Sequence, residues 1–186
     1  MLNEITILLS AAASPTMPGL VSCFKNNGER HIRLVGIDMA DDASCNSMFD
    51  AFYCVPRAND IDYADKVLEI CKREKVDIYF PNISVEVEAV SKRKKEFEAL
   101  GTIVSSADNT SVEIANNKLK VYQKLRGIGV DVPEFYPVNN INDFVVGCKK
   151  LGYPQKPVCL KVVNNSGSRG VRIIDNKKNR YDIFAN

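Results

Sequence analysis

The stretch IRLVGID, residues 32–38, indicates the fold class of this chain. It is an almost continuous apolar run, which is typical of a strand buried on both faces of a sheet. A similar run, ITILL, occupies residues 5–9, and the segment between them carries apolar residues at helical spacing before Asn27-Gly28. This order of strand, helix and strand predicts parallel strands joined by right-handed crossovers.

The same alternation continues towards residue 105. An amphipathic helix is predicted at residues 62–75 and a charged helix at residues 84–100. Further strands are predicted at AFYCV (51–55), VDIYFP (76–81) and TIVS (102–105). The predicted fold class is therefore α/β, with helices on both faces of a parallel sheet. Ligands of such sheets bind beyond the carboxyl ends of the strands.

The pattern changes in the middle of the chain. Thr110 and Glu113 have the spacing of a capping box, in which a hydroxyl and a carboxylate each satisfy a backbone N–H at the start of a helix. The helix that they predict ends at RGIG, residues 126–129. Another helix is predicted at residues 141–151, with Asn140 as its cap.

Two further strands follow these helices. PVCLKVV (157–163) and GVRII (170–174) are joined by a polar loop and predict an antiparallel hairpin. Because parallel α/β structure gives way to α+β structure, we predict two domains. The first covers residues 1–112 and the second covers residues 113–186.

The loop NNSGSRG, residues 164–170, has the composition of a phosphate-binding loop. Glycines let backbone N–H groups turn inwards and let phosphate oxygens approach closely, while hydroxyl and guanidinium groups add donors. Lys161 lies between Leu160 and Val162 in the preceding strand. If these two neighbours face a core, Lys161 faces the opposite side, towards a ligand. A plain hairpin turn with a solvent-facing lysine is the alternative interpretation.

The order and spacing of the motifs after residue 115 resemble the start of the ATP-grasp fold. These motifs are NNKLKVYQKLRGIGVDVPEFYPV, a helix ending in KKLGYP, and KPVCLKVVNNSGSRGVRII. The first 110 residues look like the pre-ATP-grasp domain, a Rossmann-like sheet, so the resemblance covers nearly the whole chain. Within the superfamily, the chain looks similar to stand-alone proteins that are like the large subunit of carbamoyl-phosphate synthase.

The resemblance implies a binding site for ATP. Lys118 would contact nucleotide phosphate, and Lys161 would contact the α-phosphate and the adenine side. The mobile flap over the β- and γ-phosphates would consist of Ser166, Gly167, Ser168, Arg169 and Gly170. Two positions depart from the family pattern, because Asn117 replaces an acid and Val162 replaces a proline.

The activity implied is that of an ATP-dependent ligase that forms a carbon–nitrogen bond. ATP phosphorylates a small carboxylate substrate, and an amine or similar nucleophile attacks the acyl phosphate; no residue here identifies either substrate or a catalytic group. After the loop the only acids are Asp175 and Asp182, whereas Mg²⁺ needs several oxygen ligands. The magnesium ligands are therefore expected in a C-terminal part that this truncated chain lacks, and the chain alone is expected to be inactive. The resemblance is compatible with a homodimer of this chain.

Other interpretations compete with the ligase. The chain can instead be a non-catalytic module that binds a small molecule or a protein. Exposed apolar surface where the second ATP-grasp subdomain should dock would favour a truncated ligase, and a polar, closed surface there would favour the module. In an NAD-binding protein, Asp38 would bind the ribose of the dinucleotide. However, residues 10–19 contain a single glycine, Gly19, and therefore lack the G-x-G-x-x-G pattern of such proteins.

Three polar residues follow the predicted fourth strand, where a parallel sheet binds its ligands. Asn82, Glu86 and Glu88 are candidates for holding a polar substrate. Acids in the first turn of a helix more often compensate the helix dipole, and we prefer that interpretation.

The composition argues against several classes of function. A formal charge of +2 provides no global field for nucleic acid, and there is no run of about 18 apolar residues to span a membrane. Six cysteines without a CxxC pair and a single histidine, His31, argue against a zinc or iron–sulfur site. Buried, reduced cysteines are predicted, which indicates a reducing compartment such as the cytoplasm.

Overall fold

Five parallel strands form the sheet of the first part of the chain. The computed structural model describes residues 2–40, 46–165, 167 and 169–176. The chain divides into two compact units, Met1–Glu113 and Ile114–Asn186. The strands of the first unit are β1 (Ile5–Leu9), β2 (Ile32–Asp38), β3 (Ala51–Cys54), β4 (Ile78–Phe80) and β5 (Ile103–Val104). The predicted parallel sheet is thus confirmed, and β2 has the predicted bounds.

The strand order in this sheet is β3-β2-β1-β4-β5. The chain builds outwards from β1 to β3 on one side and then returns to place β4 against the other side of β1. The order therefore reverses between β1 and β4. In open parallel sheets, such a switch point leaves a crevice at the carboxyl ends of the two strands.

Helices cover both faces of the sheet, as predicted. They are α1 (Met17–Lys25), α2 (Tyr63–Glu74), α3 (Ser84–Ser91), α4 (Lys94–Ala99) and α5 (Asn109–Ala115). Successive residues of β1 point to opposite faces: Leu8 packs in a cluster with Val67 of α2, whereas Ile7 packs in another with Val21 of α1. Two apolar layers thus enclose the sheet. In the described segments, no helix combines the length and the hydropathy that a membrane crossing needs.

The charged helix predicted at residues 84–100 is wrong as a single element, because α3 ends at Ser91 and α4 begins at Lys94. Arg93 lies at the break, with a φ of −118° and a ψ of 16°. Its guanidinium donates to Glu96 and to Asp65 of α2. One of these contacts is local and the other joins the break to α2, and the pairing with Asp65 is not specified by the local charge pattern.

The second unit contains two helices and an antiparallel hairpin, as predicted. The helices are α6 (Lys118–Gly127) and α7 (Ile141–Lys150), and the strands are β6 (Val158–Leu160) and β7 (Arg172–Ile174). Asn140 caps α7 as predicted, because its side chain accepts a hydrogen bond from the Asp143 N–H at 2.9 Å. Val158 and Ile174 pair across the two strands, and both are buried.

The capping box predicted at Thr110 and Glu113 is wrong. Helix α5 begins at Asn109, and Asp108 accepts hydrogen bonds from the backbone N–H and the hydroxyl of Ser111. The single long helix is also wrong, since α5 ends before Asn117 and α6 begins after it. Asparagine side chains compete for backbone groups and so favour helix ends over helix interiors.

The prediction of buried cysteines holds only in part. None of the five cysteines in the described residues is in a disulfide, and Cys71 is buried. Burial raises the pKa of the Cys71 thiol to about 12. Cys23, Cys54 and Cys159 are exposed, however, so their surroundings are not those of a core residue.

Gly36, in the middle of β2, permits close packing of Phe49 against the sheet. A Cβ atom at this position would lie 2.7 to 2.9 Å from three ring atoms of Phe49. We expect Gly36→Ala to lower the free energy of unfolding by about 1–3 kcal/mol, the usual cost of overpacking a core. Urea denaturation followed by circular dichroism measures the change.

Gly19 offers a matched control in α1. A Cβ atom there meets no heavy atom within 4 Å. Because alanine favours a helix over glycine by up to about 1 kcal/mol, Gly19→Ala should leave stability unchanged or raise it. A Gly36→Ala variant as stable as the wild type would show that Phe49 can move without cost.

Candidate functional site

A cavity of about 440 Å³ lies within the second unit. Its walls come from α6, the extended segment 133–139, α7 and β6 with the residues that follow it. Aromatic and aliphatic side chains dominate the lining; they include Leu119, Tyr122, Phe135, Tyr136, Phe144 and Leu160. Such a cavity, apolar with a few polar groups, is typical of a small-molecule site.

Aromatic packing builds one wall of this cavity. The rings of Tyr122 and Phe135 lie 5.4 Å apart, and the guanidinium of Arg126 lies 4.6 Å from the centre of the Phe135 ring. Tyr136 packs directly on α7 at Gly147, where a Cβ atom would lie 2.8 Å from its ring. These contacts hold the aromatic side chains of this wall in place.

Two lysines line the same cavity, Lys118 at the start of α6 and Lys161 just after β6. The Lys118 ammonium donates a hydrogen bond to the Asn165 carbonyl at 2.5 Å, and its backbone N–H donates to the Val163 carbonyl at 3.1 Å. The structure thus brings the two lysines of the sequence prediction to one cavity. Whether they contact nucleotide remains a prediction.

Asn117, which departs from the family pattern, caps α6. Its side chain accepts a hydrogen bond from the Lys120 N–H at 2.9 Å. Asparagine and aspartate are about equally effective at this position. The replacement of the acid therefore preserves the start of the helix and the placement of Lys118.

Lys161 does not lie within a strand between two core residues, which is the condition for the direction expected from the sequence. Strand β6 ends at Leu160, so Lys161 lies beyond the strand, and Val162 is 47% exposed. Side-chain alternation holds only within a strand. Lys161 is placed on the cavity by the chain that follows β6.

Both glycines of the glycine loop, residues 164–170, have positive φ. Gly167 has a φ of +63° and Gly170 a φ of +72°. A Cβ atom at Gly170 would lie 2.5 Å from a methyl carbon of Val162, so glycine allows the two ends of the loop to approach. Arg169 is exposed; Ser166 and Ser168 lie outside the described residues. The contacts of this loop with phosphate stay a prediction.

A second polar cluster lies at the carboxyl ends of β1 and β4. The Ser10 hydroxyl donates to a Glu86 carboxylate oxygen at 2.5 Å and accepts the Asn82 N–H at 3.0 Å. The same carboxylate oxygen accepts the N–H of Ile83 at 3.3 Å. Glu86 is buried, and this burial raises its pKa. The polar groups of this cluster form hydrogen bonds with one another, and these bonds join the end of β1 to the start of α3.

The candidate polar residues after β4 therefore separate into two groups. Asn82 and Glu86 meet at the switch point, with Ser10 as a partner that the sequence argument missed. Glu88 is instead exposed and pairs with Lys92 at 3.1 Å. The helix-terminus interpretation fits Glu86, since it accepts a backbone N–H at the start of α3.

Asp38 has a structural role at the end of β2. Its two carboxylate oxygens accept the N–H groups of Ala13 at 2.8 Å and Ala40 at 3.1 Å. Asp38 therefore caps the end of its strand. Among the residues that the structure describes, no group of three or more His, Cys, Asp or Glu side chains is placed to hold a metal ion.

Comparison with solved structures identifies the fold. The biotin carboxylase domain of 2-oxoglutarate carboxylase from Hydrogenobacter thermophilus matches with a TM-score of 0.65 and 20% identity, over 90% of this chain and 37% of that one. N5-carboxyaminoimidazole synthetase from Staphylococcus aureus matches with a TM-score of 0.69 and 16% identity, over 97% and 43%. N5-carboxyaminoimidazole ribonucleotide synthetase from Thermotoga maritima matches with a TM-score of 0.62 and 15% identity, over 100% and 44%.

These relatives are ATP-grasp enzymes, and this chain spans 37% to 44% of their lengths. The recognition of an N-terminal portion of the ATP-grasp fold is confirmed. No curated protein matches the chain. Residues 7–105, which contain the whole five-stranded sheet except the first two residues of β1, match the PylC-like N-terminal domain. The chain therefore belongs to the PylC-like family.

Proposed function

We propose that this chain is the N-terminal part of an ATP-dependent ATP-grasp ligase. Residues 1–112 form the pre-ATP-grasp domain, and residues 113–186 form the first part of the ATP-grasp domain. The complete ligase activates a carboxylate as an acyl phosphate, in the manner of carbamoyl-phosphate synthase, and a nitrogen nucleophile then attacks it. This part of the ligase binds ATP through Lys118, Lys161 and the glycine loop.

The cavity of the second unit is the observation that carries this proposal. It combines an aromatic wall with two lysines, and a loop containing two positive-φ glycines follows Lys161. A purine can pack against the apolar lining, while ammonium groups and backbone N–H groups neutralise phosphate oxygens. The cavity therefore offers apolar surface for the base of a nucleotide and cationic donors for its phosphates.

The charge of the second unit also supports an anionic ligand. Residues 114–186 contain 13 lysines and arginines and 5 aspartates and glutamates, which gives a net charge of +8. The near-neutral charge of the whole chain conceals this excess, because the first unit is acidic. An excess of positive charge on the unit that contains the cavity attracts phosphate groups and raises their local concentration.

Bound ligands of the structural relatives are consistent with this assignment. The Hydrogenobacter thermophilus domain is a dimer in complex with MgADP, ADP and bicarbonate, and a Staphylococcus aureus N5-carboxyaminoimidazole synthetase is in complex with ADP. The described residues of this chain do not form a metal site, so we assign no step to Mg²⁺ on them. Their role in the ligase is to bind and orient the nucleotide.

Some large apolar side chains of the second unit are exposed. Ile128, Ile141 and Ile173 are 62%, 63% and 62% exposed. A contiguous patch of such side chains, rather than single ones, is typical of a surface that packs against further protein. A non-catalytic binding module therefore stays the alternative to the ligase.

Direct binding of ADP tests the proposal. Isothermal titration of the chain with ADP should show a single site, and adenosine, which lacks phosphates, should bind much more weakly. Perturbation of the Tyr122 and Tyr136 resonances in NMR spectra would place the ligand in the cavity. Absence of any ADP binding at millimolar concentration, in a chain shown to be folded, would contradict the proposed function.

A further inference from the structure

Lys118 makes two contacts with one short segment, residues 163–165, which is distant from it in the sequence. Its backbone N–H donates to the Val163 carbonyl at 3.1 Å, and its ammonium donates to the Asn165 carbonyl at 2.5 Å. We call residues 163–165 the loop base, because they consist of Val163 and the first two residues of the glycine loop. One residue at the start of α6 thus holds two carbonyls of the loop base.

The backbone contact satisfies a group that a helix leaves without a partner. Lys118 is the first residue of α6, and the first N–H groups of a helix have no carbonyl within the helix to bind. The Val163 carbonyl supplies that acceptor. The start of α6 and the loop base therefore stabilise each other before any ligand is present.

The side-chain contact leaves the cation able to bind a ligand as well. A lysine ammonium has three N–H donors, and the Asn165 carbonyl uses one of them. Lys118 also lines the cavity, as does Lys161. The ammonium can therefore hold the loop base and face the cavity at the same time.

We propose that Lys118 is a positioning residue, which fixes the loop base against the start of α6 in the nucleotide-free protein. The glycine loop then begins from a defined point beside the cavity, and less ordering remains to be done when a ligand binds. The tether itself stands on the two contacts of Lys118. Its benefit for nucleotide binding rests on the proposed function.

Hydrogen exchange of the whole chain, without nucleotide, tests the tether. We follow the amide of residue 118, whose N–H donates to the Val163 carbonyl, and call its exchange the exchange of the loop base. We expect Lys118→Met to raise this exchange rate about tenfold, because a charged hydrogen bond that opposes local opening is lost. Lys118→Arg, which keeps a cationic donor, should restore most of the protection. Lys124→Met, on the same helix, removes a charge without removing the Asn165 contact and should change nothing there.

Each result of the exchange experiment decides whether Lys118 tethers the loop base. Unchanged exchange of the loop base in Lys118→Met would overturn the proposal, as would an equal rise across all peptides of the second unit, which would indicate general destabilisation. A rise confined to the loop base and reversed by Lys118→Arg would support it.

Titration with ADP separates this proposal from the proposed function. If the wild type binds ADP and Lys118→Met leaves loop-base exchange unchanged, the tether is wrong and the nucleotide site stands. If the wild type does not bind ADP but the exchange result holds, the nucleotide site is wrong and the tether stands. With both correct, Lys118→Met should weaken ADP binding by more than Lys118→Arg does.

Discussion

Replacing Lys161 with methionine should weaken ADP binding about 30-fold. Lys161 lines the cavity immediately after β6. Under the proposed function its ammonium neutralises a phosphate oxygen, and a charged hydrogen bond of this kind contributes about 2 kcal/mol. Methionine keeps much of the aliphatic volume and removes only the charge. Isothermal titration of both proteins with ADP measures the difference.

The salt dependence of binding gives an independent check on the same interaction. Screening weakens attraction between partly exposed charges, so ADP binding to the wild type should fall as ionic strength rises, and less steeply for Lys161→Met. Lys156→Met is the matched control, because Lys156 is exposed and is not part of the cavity lining. Equal ADP affinity of Lys161→Met and the wild type would remove Lys161 from the site.

The sheet was predictable because its signal is local. Strand β2 is an apolar run within one element, and its predicted bounds are the observed ones. Any strand buried on both faces must be apolar along its length, whatever its neighbours are. The alternation with helices then restricts the topology to parallel strands.

The helix boundaries were less predictable, because neighbouring polar residues compete for the same cap. Asp108, Asn109 and Thr110 are all residues that can begin a helix, and the structure begins α5 at Asn109 with Asp108 as the acceptor. From the sequence alone, Asn117 can equally be a residue within a helix or the N-cap of one. Packing of the unit decides between such alternatives of nearly equal free energy.

The contacts that build the candidate sites could not be predicted from local sequence at all. Ser10 and Glu86 are 76 positions apart, and Lys118 and Asn165 are 47 positions apart. The resemblance to the ATP-grasp fold indicated Lys118 and Lys161, but not the contact of Lys118 with the loop base. That contact depends on the path of the chain after β6.

Glu86 should be among the most costly polar residues to remove from the first unit. Its carboxylate accepts hydrogen bonds from the Ser10 hydroxyl and the Ile83 N–H, and it also interacts with the Tyr63 hydroxyl. Glu86→Ala would leave the buried Ser10 hydroxyl without this acceptor and remove the contact with Tyr63, and we expect a loss of about 2–3 kcal/mol in the free energy of unfolding. Glu86→Gln should cost less, because the amide oxygen still accepts.

Glu88 provides the control for this prediction on the same helix. It is exposed and pairs with Lys92 at the surface. Exposed ion pairs contribute about 0–1 kcal/mol, so Glu88→Ala should have only a small effect on urea denaturation. A loss for Glu86→Ala no larger than that for Glu88→Ala would show that water or other acceptors replace the carboxylate.

The pH dependence of stability tests the charge state of Glu86. Burial raises its pKa above the ordinary value of 4.5, so the folded state holds the proton more tightly than the unfolded state. The stability that this group contributes is therefore fully present below pH 4.5 and is lost as the pH rises through the pKa of the folded protein. Glutamine does not titrate, so the advantage of the wild type over Glu86→Gln should shrink as the pH rises from 4.5 towards 7. An advantage that grows with pH would mean that the hydrogen bonds from Ser10 and Ile83 stabilise the carboxylate by more than its burial costs.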